Sequence, residues 1–146
     1  MIFILDTDTL IYMIRGLRPA ARRKQRERAR ELAERCRDAQ KEGHAVGVSA
    51  ITVSELEFGA RKSGRYEDEI AAIAKILAPF EVYDYDAVNC PYHYGHIRYE
   101  LEQTGQSIGA MDLLIAAHAL VLDATLVTNN LDHFRRVPGL KVTDCR

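Results

Sequence analysis

The sequence predicts an α/β fold: an open, mostly parallel sheet of four to five strands covered by helices on both faces. Three observations carry that expectation. Short apolar runs alternate along the chain with longer stretches of helical periodicity. The first of them, "IFIL", has the unbroken hydrophobicity of a strand buried on both sides. Gly16 with Pro19, Gly43, Pro79, Gly105 and the Pro138-Gly139 pair punctuate these segments.

In chain order, "IFIL" is the first strand and "TLIYMI" begins a helix that runs to the break at Gly16 and Pro19. A long helix follows in "ARRKQRERARELAERCRDAQKEG", with Ala29, Leu32, Ala33 and Cys36 on one face and Gly43 as its stop. "HAVGVSA" is a second strand, and Thr52 or Ser54 is the expected cap of the helix carrying "ELEFGARKS". Tyr66 to Leu77 is an amphipathic helix ended by Pro79, and "FEVYDY" a third strand. A helix bearing Tyr92, His93, His96 and Tyr99 precedes the Gly105 break. "GAMDLLIAAHALVL" is apolar nearly all round and reads as a buried helix; "ATLVTNN" is a fourth strand, and "LKVTDC" a short fifth after the Pro138-Gly139 turn.

The 146 residues suit one domain over 1–146, and 47% hydrophobic with 28% charged residues is ordinary for a globular protein. Three cysteines without a C-x-x-C pair argue against a disulfide framework or zinc site, so a reducing cytoplasm is the expected compartment. The start has no basic segment before its apolar residues, and no run is long enough to span a bilayer. Net charge is -1, but Arg15 to Lys41 holds eleven Lys/Arg against four Asp/Glu, leaving the remainder acidic. Arg23/Glu27, Arg30/Glu34 and Glu31/Arg35 are spaced to pair on a solvated helix face, yet four acids cannot balance eleven bases. Such an excess suits a polyanion backbone, and equally an acidic protein partner.

Asp6 and Asp8 interrupt the most hydrophobic N-terminal stretch, where an unpaired carboxylate is costly unless a cation or a hydrogen-bond cradle receives it. In an open α/β sheet, ligands bind beyond the carboxyl ends of the strands where the strand order reverses. Asp6 and Asp8 follow the first strand, Asn129 and Asn130 follow "TLVT", and Asp112 and Glu55 lie near helix starts able to reach that edge. Converging oxygens there form a site for a hard cation, Mg²⁺ or Mn²⁺, and the expected reaction is hydrolysis of a phosphodiester. Each residue also has an ordinary structural role. Asp8 suits a helix cap, Asp112 complements a helix dipole, and Glu55 and Glu57 are ordinary helix residues. His118 reads as a hydrogen-bonded core histidine, His93 and His96 as surface residues, and the tyrosines of "YHYGHIRY" as packing residues before base-stacking ones.

Four segments in order, "ILDTDTLIY", "VSELEFGARKS", "IGAMDLLIAAHAL" and "LVTNNLDHFRRVPGL", resemble the PIN-domain ribonucleases, in particular the VapC-type toxins of prokaryotic toxin-antitoxin pairs. The resemblance implies a three-layer α/β/α domain, a Mg²⁺-dependent endoribonuclease acting on RNA, homodimerisation, and inhibition by a VapB-type antitoxin that inserts a peptide near the active site. It places the catalytic and metal-binding acids on Asp6, Glu55 and Asp112, with Thr7 and Thr128 as hydrogen-bonding neighbours. The family's fourth acidic position is Asn130 here, with Asp132 close by, and Asp8 stands where an asparagine is frequent. Two other readings remain. "FILDTDTL" is also similar to the nucleophile loop of haloacid-dehalogenase phosphatases, with Asp6 as nucleophile and Asp8 as general acid. That fold needs a later lysine and acidic pair, and Lys141 is followed only by "VTDCR". The third is a catalytically weak PIN-like module that binds nucleic acid or protein.

Overall fold

Five strands, β1 (Ile2–Leu5), β2 (Ala45–Ser49), β3 (Glu81–Tyr83), β4 (Thr125–Thr128) and β5 (Lys141–Asp144), form one sheet in the order β3-β2-β1-β4-β5. The structure, a computed structural model, describes residues 1–145. Every strand pair is parallel, so each connection crosses over through a helix: α1 (Thr7–Gly16) and α2 (Arg23–Lys41), then α3 (Ala50–Lys62) and α4 (Tyr66–Leu77), then α5 (Asn89–Gln103) and α6 (Ala110–Val121). A single turn, α7 (Leu131–Phe134), joins β4 to β5. The expected three-layer α/β/α fold is observed. No helix among the described residues is long and apolar enough to cross a membrane.

Alternation along the strands builds two cores. Ile4 and Leu126 point into one, with Ile97 and Leu101 of α5 and Leu113, Ile115 and Ala116 of α6. Leu5 and Val127 point into the other, with Leu10 and Met13 of α1, Leu32 and Cys36 of α2 and Leu56 of α3. Because β1 and β4 are buried on both faces, neither shows a polar alternation in sequence. Cys36, Cys90 and Cys145 are buried free thiols.

Two glycines set the path of the basic helix. Gly43, at φ +93°, takes the left-handed conformation that ends α2, and its N–H reaches the Gln40 carbonyl at 3.0 Å. At Gly16, an added Cβ would lie 2.5 Å from the Ala29 Cβ and 2.8 Å from the Gln25 carbonyl oxygen, so only glycine lets α1 and α2 approach so closely. Arg26 ties the intervening turn through the Pro19 carbonyl at 2.7 Å. Of the three charge pairs spaced to form on α2, Arg23–Glu27 closes at 3.1 Å, and the other two do not reach ion-pair distance among the described residues.

The cap positions differ from the sequence expectation. Helix α1 is capped by Asp6, not Asp8, and α3 by Ser49, not Thr52 or Ser54. In both cases the strand feeds the helix with almost no loop, so the last strand-proximal polar residue takes the capping conformation and the later candidates are already inside the helix. Ser54 instead donates to the Ala50 carbonyl at 3.3 Å.

Candidate active site

The chain leaves β1 for β2 and β3 on one side, then crosses back to β4 on the other. The crevice opened by that reversal lies beyond the ends of β1 and β4. Asp6 is the first residue past β1, and its N–H donates to the Val127 carbonyl at 3.1 Å, joining the two strand ends. Asp6 as a residue is 3% exposed. Oδ1 accepts the Thr9 N–H at 2.8 Å as the cap of α1, and Oδ2 accepts the Thr128 hydroxyl at 2.5 Å. Burial raises the Asp6 pKa above the ordinary carboxylate value, and the Thr128 and Thr9 hydrogen bonds oppose that rise.

Next to it, the Thr7 hydroxyl donates to Glu55 Oε1 at 2.7 Å and lies 3.0 Å from the Thr52 hydroxyl. A hydroxyl has one proton, so Thr52 donates to Thr7 and Thr7 to Glu55. This relay crosses from α1 to α3 and fixes the half-buried Glu55 at the crevice.

Asp112, third residue of α6, completes the acidic group. Its pKa is pushed up to about 6, first by burial and then by the charges of Asp6, Asp8 and Glu55, with His133 partly offsetting them. The four carboxyls therefore share one field, although Asp8 itself is exposed on the first turn of α1. They do not yet share a coordination sphere: among the described residues no three His, Cys, Asp or Glu side chains are grouped closely enough to hold a metal ion as they stand. Asp6 and Glu55 are each drawn onto their own donors, and like charges oppose closer approach.

Past β4, the Asn130 N–H donates to the Thr128 hydroxyl oxygen at 2.8 Å, and its amide nitrogen donates to His133 Nδ1 at 2.8 Å. Among the described residues, Asn130 Oδ1 accepts no hydrogen bond. Asn129 is exposed and accepts from the Cys145 thiol at 2.6 Å. Asp132 is exposed on α7.

His118 is the core histidine its sequence setting suggests. Its Nδ1 is 2.7 Å from the Ser49 hydroxyl, burial lowers its pKa, and its ring meets Tyr85 edge-on. Because Ser49 also caps α3, this bond ties the helix carrying Asp112 to the helix carrying Glu55. His93 and His96 lie outside the crevice: His96 pairs with Glu100 at 3.2 Å, and His93 packs edge-on against Tyr92. Sequence reasoning missed His133 and Thr52. The three-residue step from Asn130 to His133 was the available signal for the first.

Residues 3–140 match the PIN domain family. Ribonuclease VapC2 of Rickettsia felis is 37% identical over 140 residues, covering 96% of this chain and 95% of the relative. The tRNA(fMet)-specific endonuclease VapC of Salmonella typhimurium is 35% identical over 142 residues, covering 97% and 96%. Among solved structures, DNA-bound VapBC from Salmonella typhimurium superposes with a TM-score of 0.84 at 33% identity, covering 100% of this chain and 99% of that one. VapBC2 from Rickettsia felis, bound to a DNA fragment from its promoter, gives 0.80 at 34% identity, covering 99% and 98%.

Proposed function

The chain belongs to the PIN-domain family, and from that membership and its acidic crevice we propose that it is a Mg²⁺-dependent endoribonuclease, the toxin of a VapBC-type pair. Residues 1–146 act as one domain, in the bacterial cytoplasm where three free thiols stay reduced, as a homodimer held in check by a VapB-type antitoxin. The observation that carries the reading is the gathering of Asp6, Glu55 and Asp112 at one crevice, near enough for the other two charges to act on Asp112. A carboxyl pushed to about 6 by burial and three neighbouring acids is one whose charge needs a counter-cation.

The donor set fits a hard divalent ion, since it is all oxygen: Asp6, Asp112 and Glu55, with the Asn130 amide oxygen available as a neutral fourth. Mn²⁺ is the expected substitute. When bound, the ion supplies Lewis acidity and water activated near neutral pH for in-line attack on a phosphodiester. The chain's own residues prepare the site. The Thr128 hydroxyl and the Thr9 N–H orient the Asp6 carboxylate and favour its ionised form. Thr7, supplied by Thr52, orients Glu55 toward the ion or the attacking water. Asn130 replaces a carboxylate by an amide, which lowers the attraction for a second cation. His133 holds that amide by accepting its N–H at Nδ1. Helix α2 brings the excess of positive charge that a polyanionic substrate requires.

A phosphatase using Asp6 as nucleophile is disfavoured by the match of residues 3–140 to the PIN domain family. The test is cleavage of single-stranded RNA with chelator, with restored Mg²⁺, and with Asp6→Asn. Asparagine caps a helix as well as aspartate does, so the variant keeps its fold and loses its charge. Cleavage should vanish in chelator and in the variant and return with Mg²⁺ to the wild type alone. Full-rate cleavage in chelator would overturn the proposal. RNA binding with no cleavage under any condition would favour the binding-module reading.

A further inference from the structure

Between α1, α2 and the turn after β4 lies a cavity of about 180 Å³ that the acidic crevice does not use. Tyr12 of α1 forms one wall, Arg28 and Arg35 of α2 another, Leu32 lies between the arginines, and Asn129 closes the end. The cavity adjoins the crevice directly. Asn129 sits between Thr128, which donates to Asp6, and Asn130; Tyr12 is one helical turn past Asp8 on the same face of α1. Arg28 is the immediate neighbour of Ala29, whose contact with Gly16 fixes α2 on α1, so the helix that carries both arginines is held in place.

The chemistry of the lining is specific. Among the described residues neither Arg28 nor Arg35 lies within ion-pair distance of an acid, although Glu31 shares the lining between them, so the cavity carries a net charge of +1. The Asn129 oxygen is taken by the Cys145 thiol, which leaves its NH₂ as the donor available to a ligand.

We infer that this cavity is a nucleotide subsite for single-stranded RNA: Arg28 and Arg35 grip a backbone phosphate beside the one to be cut, and Tyr12 stacks on the attached base. The inference rests on the endoribonuclease reading and names the substrate form that site accepts. Guanidinium groups bind phosphate oxygens through paired N–H donors, and the net +1 matches one phosphodiester. An aromatic wall beside them gives a splayed base a face to stack on, which a base-paired strand does not offer. An acidic peptide would use the two arginines and leave Tyr12 without a role.

Fluorescence anisotropy with a labelled short single-stranded RNA, in chelator, tests this separately from cleavage. The Arg28→Ala/Arg35→Ala variant should bind about tenfold more weakly, with the slope of log affinity against log salt reduced by about 0.7 for the one phosphate released. Tyr12→Ala should weaken binding about tenfold at an unchanged slope, and Tyr12→Phe should restore it. Arg98→Ala, on the far layer and engaged with Glu102, should bind as wild type. With Mg²⁺ present, the cavity variants should raise KM and leave kcat in place. Wild-type affinity and slope in the cavity variants, or an equal loss in Arg98→Ala, would overturn the subsite. So would a polyglutamate peptide that binds through Arg28 and Arg35 more tightly than the RNA does, since the cavity would then be a protein-docking site. Failure of the wild type to cleave with Mg²⁺, despite cavity-dependent RNA binding, would overturn the nuclease reading alone.

Discussion

Replacing Asp112 by Asn should stabilise the metal-free protein while abolishing its cleavage. In the folded chain this carboxyl releases its proton near pH 6, against an ordinary value of 3.8, so the native state holds the proton more tightly than the unfolded state does. Stability therefore falls as pH rises from about 4 to about 6 and stays low above that. For a fully buried group the difference would be worth about 3 kcal/mol. Asp112 is only half-buried, and solvent screening reduces this to about 1 kcal/mol. Asparagine has nearly the same shape and no charge, so it should recover that amount, an increase of about 3 °C in Tm for a chain of this size. Thermal unfolding in chelator, well above pH 6 and again near pH 4, measures it: the gain should appear at the higher pH and vanish at the lower. Excess Mg²⁺ should then raise the wild-type Tm by mass action and leave the variant unmoved. A variant that melts below wild type in chelator at high pH would refute the reasoning, as would an equal response to Mg²⁺.

Thr128→Val removes the strongest donor to Asp6, so burial acts with less opposition and the carboxyl ionises at higher pH; the acidic limb of the rate profile should move upward, with a stability loss of about 1 kcal/mol by denaturant titration. Gly16→Ala drives a methyl into Ala29 and should cost about 1–3 kcal/mol as α2 shifts. Ala29→Gly in the same chain should return part of that loss, and a double-mutant cycle reads the coupling directly.

Where the fold was legible, periodicity carried it. An unbroken apolar run marked β1 because both faces of that strand are buried, and Gly43 marked the end of α2 because only its backbone freedom was needed there. The edge strand β3 is shorter than "FEVYDY" suggested, since it has a partner on one side only. The single turn α7 is too short to leave a periodic trace. Chain order placed Asp6 and Asn130 just beyond the ends of β1 and β4 because a parallel sheet fixes which ends of its strands meet. The assignment of cap roles failed for a local reason: whether Asp6 or Asp8 caps α1 depends on a loop length of a single residue. The hydroxyl relay from Thr52 and the Ser49–His118 bond join residues 45 and 69 positions apart, and no local pattern encodes such pairings.

Gly16 and Ala29 moor the cationic rod to its neighbour, and apart from Arg26, which secures the adjoining turn, its outward arginines have no part in that mooring. Attachment and surface charge are thus written in separate letters of the same helix. Exchanging arginine for lysine or glutamine along the outward positions would change the charge of that face while the rod stays put. A single methyl gained at the joint would displace every outward group together.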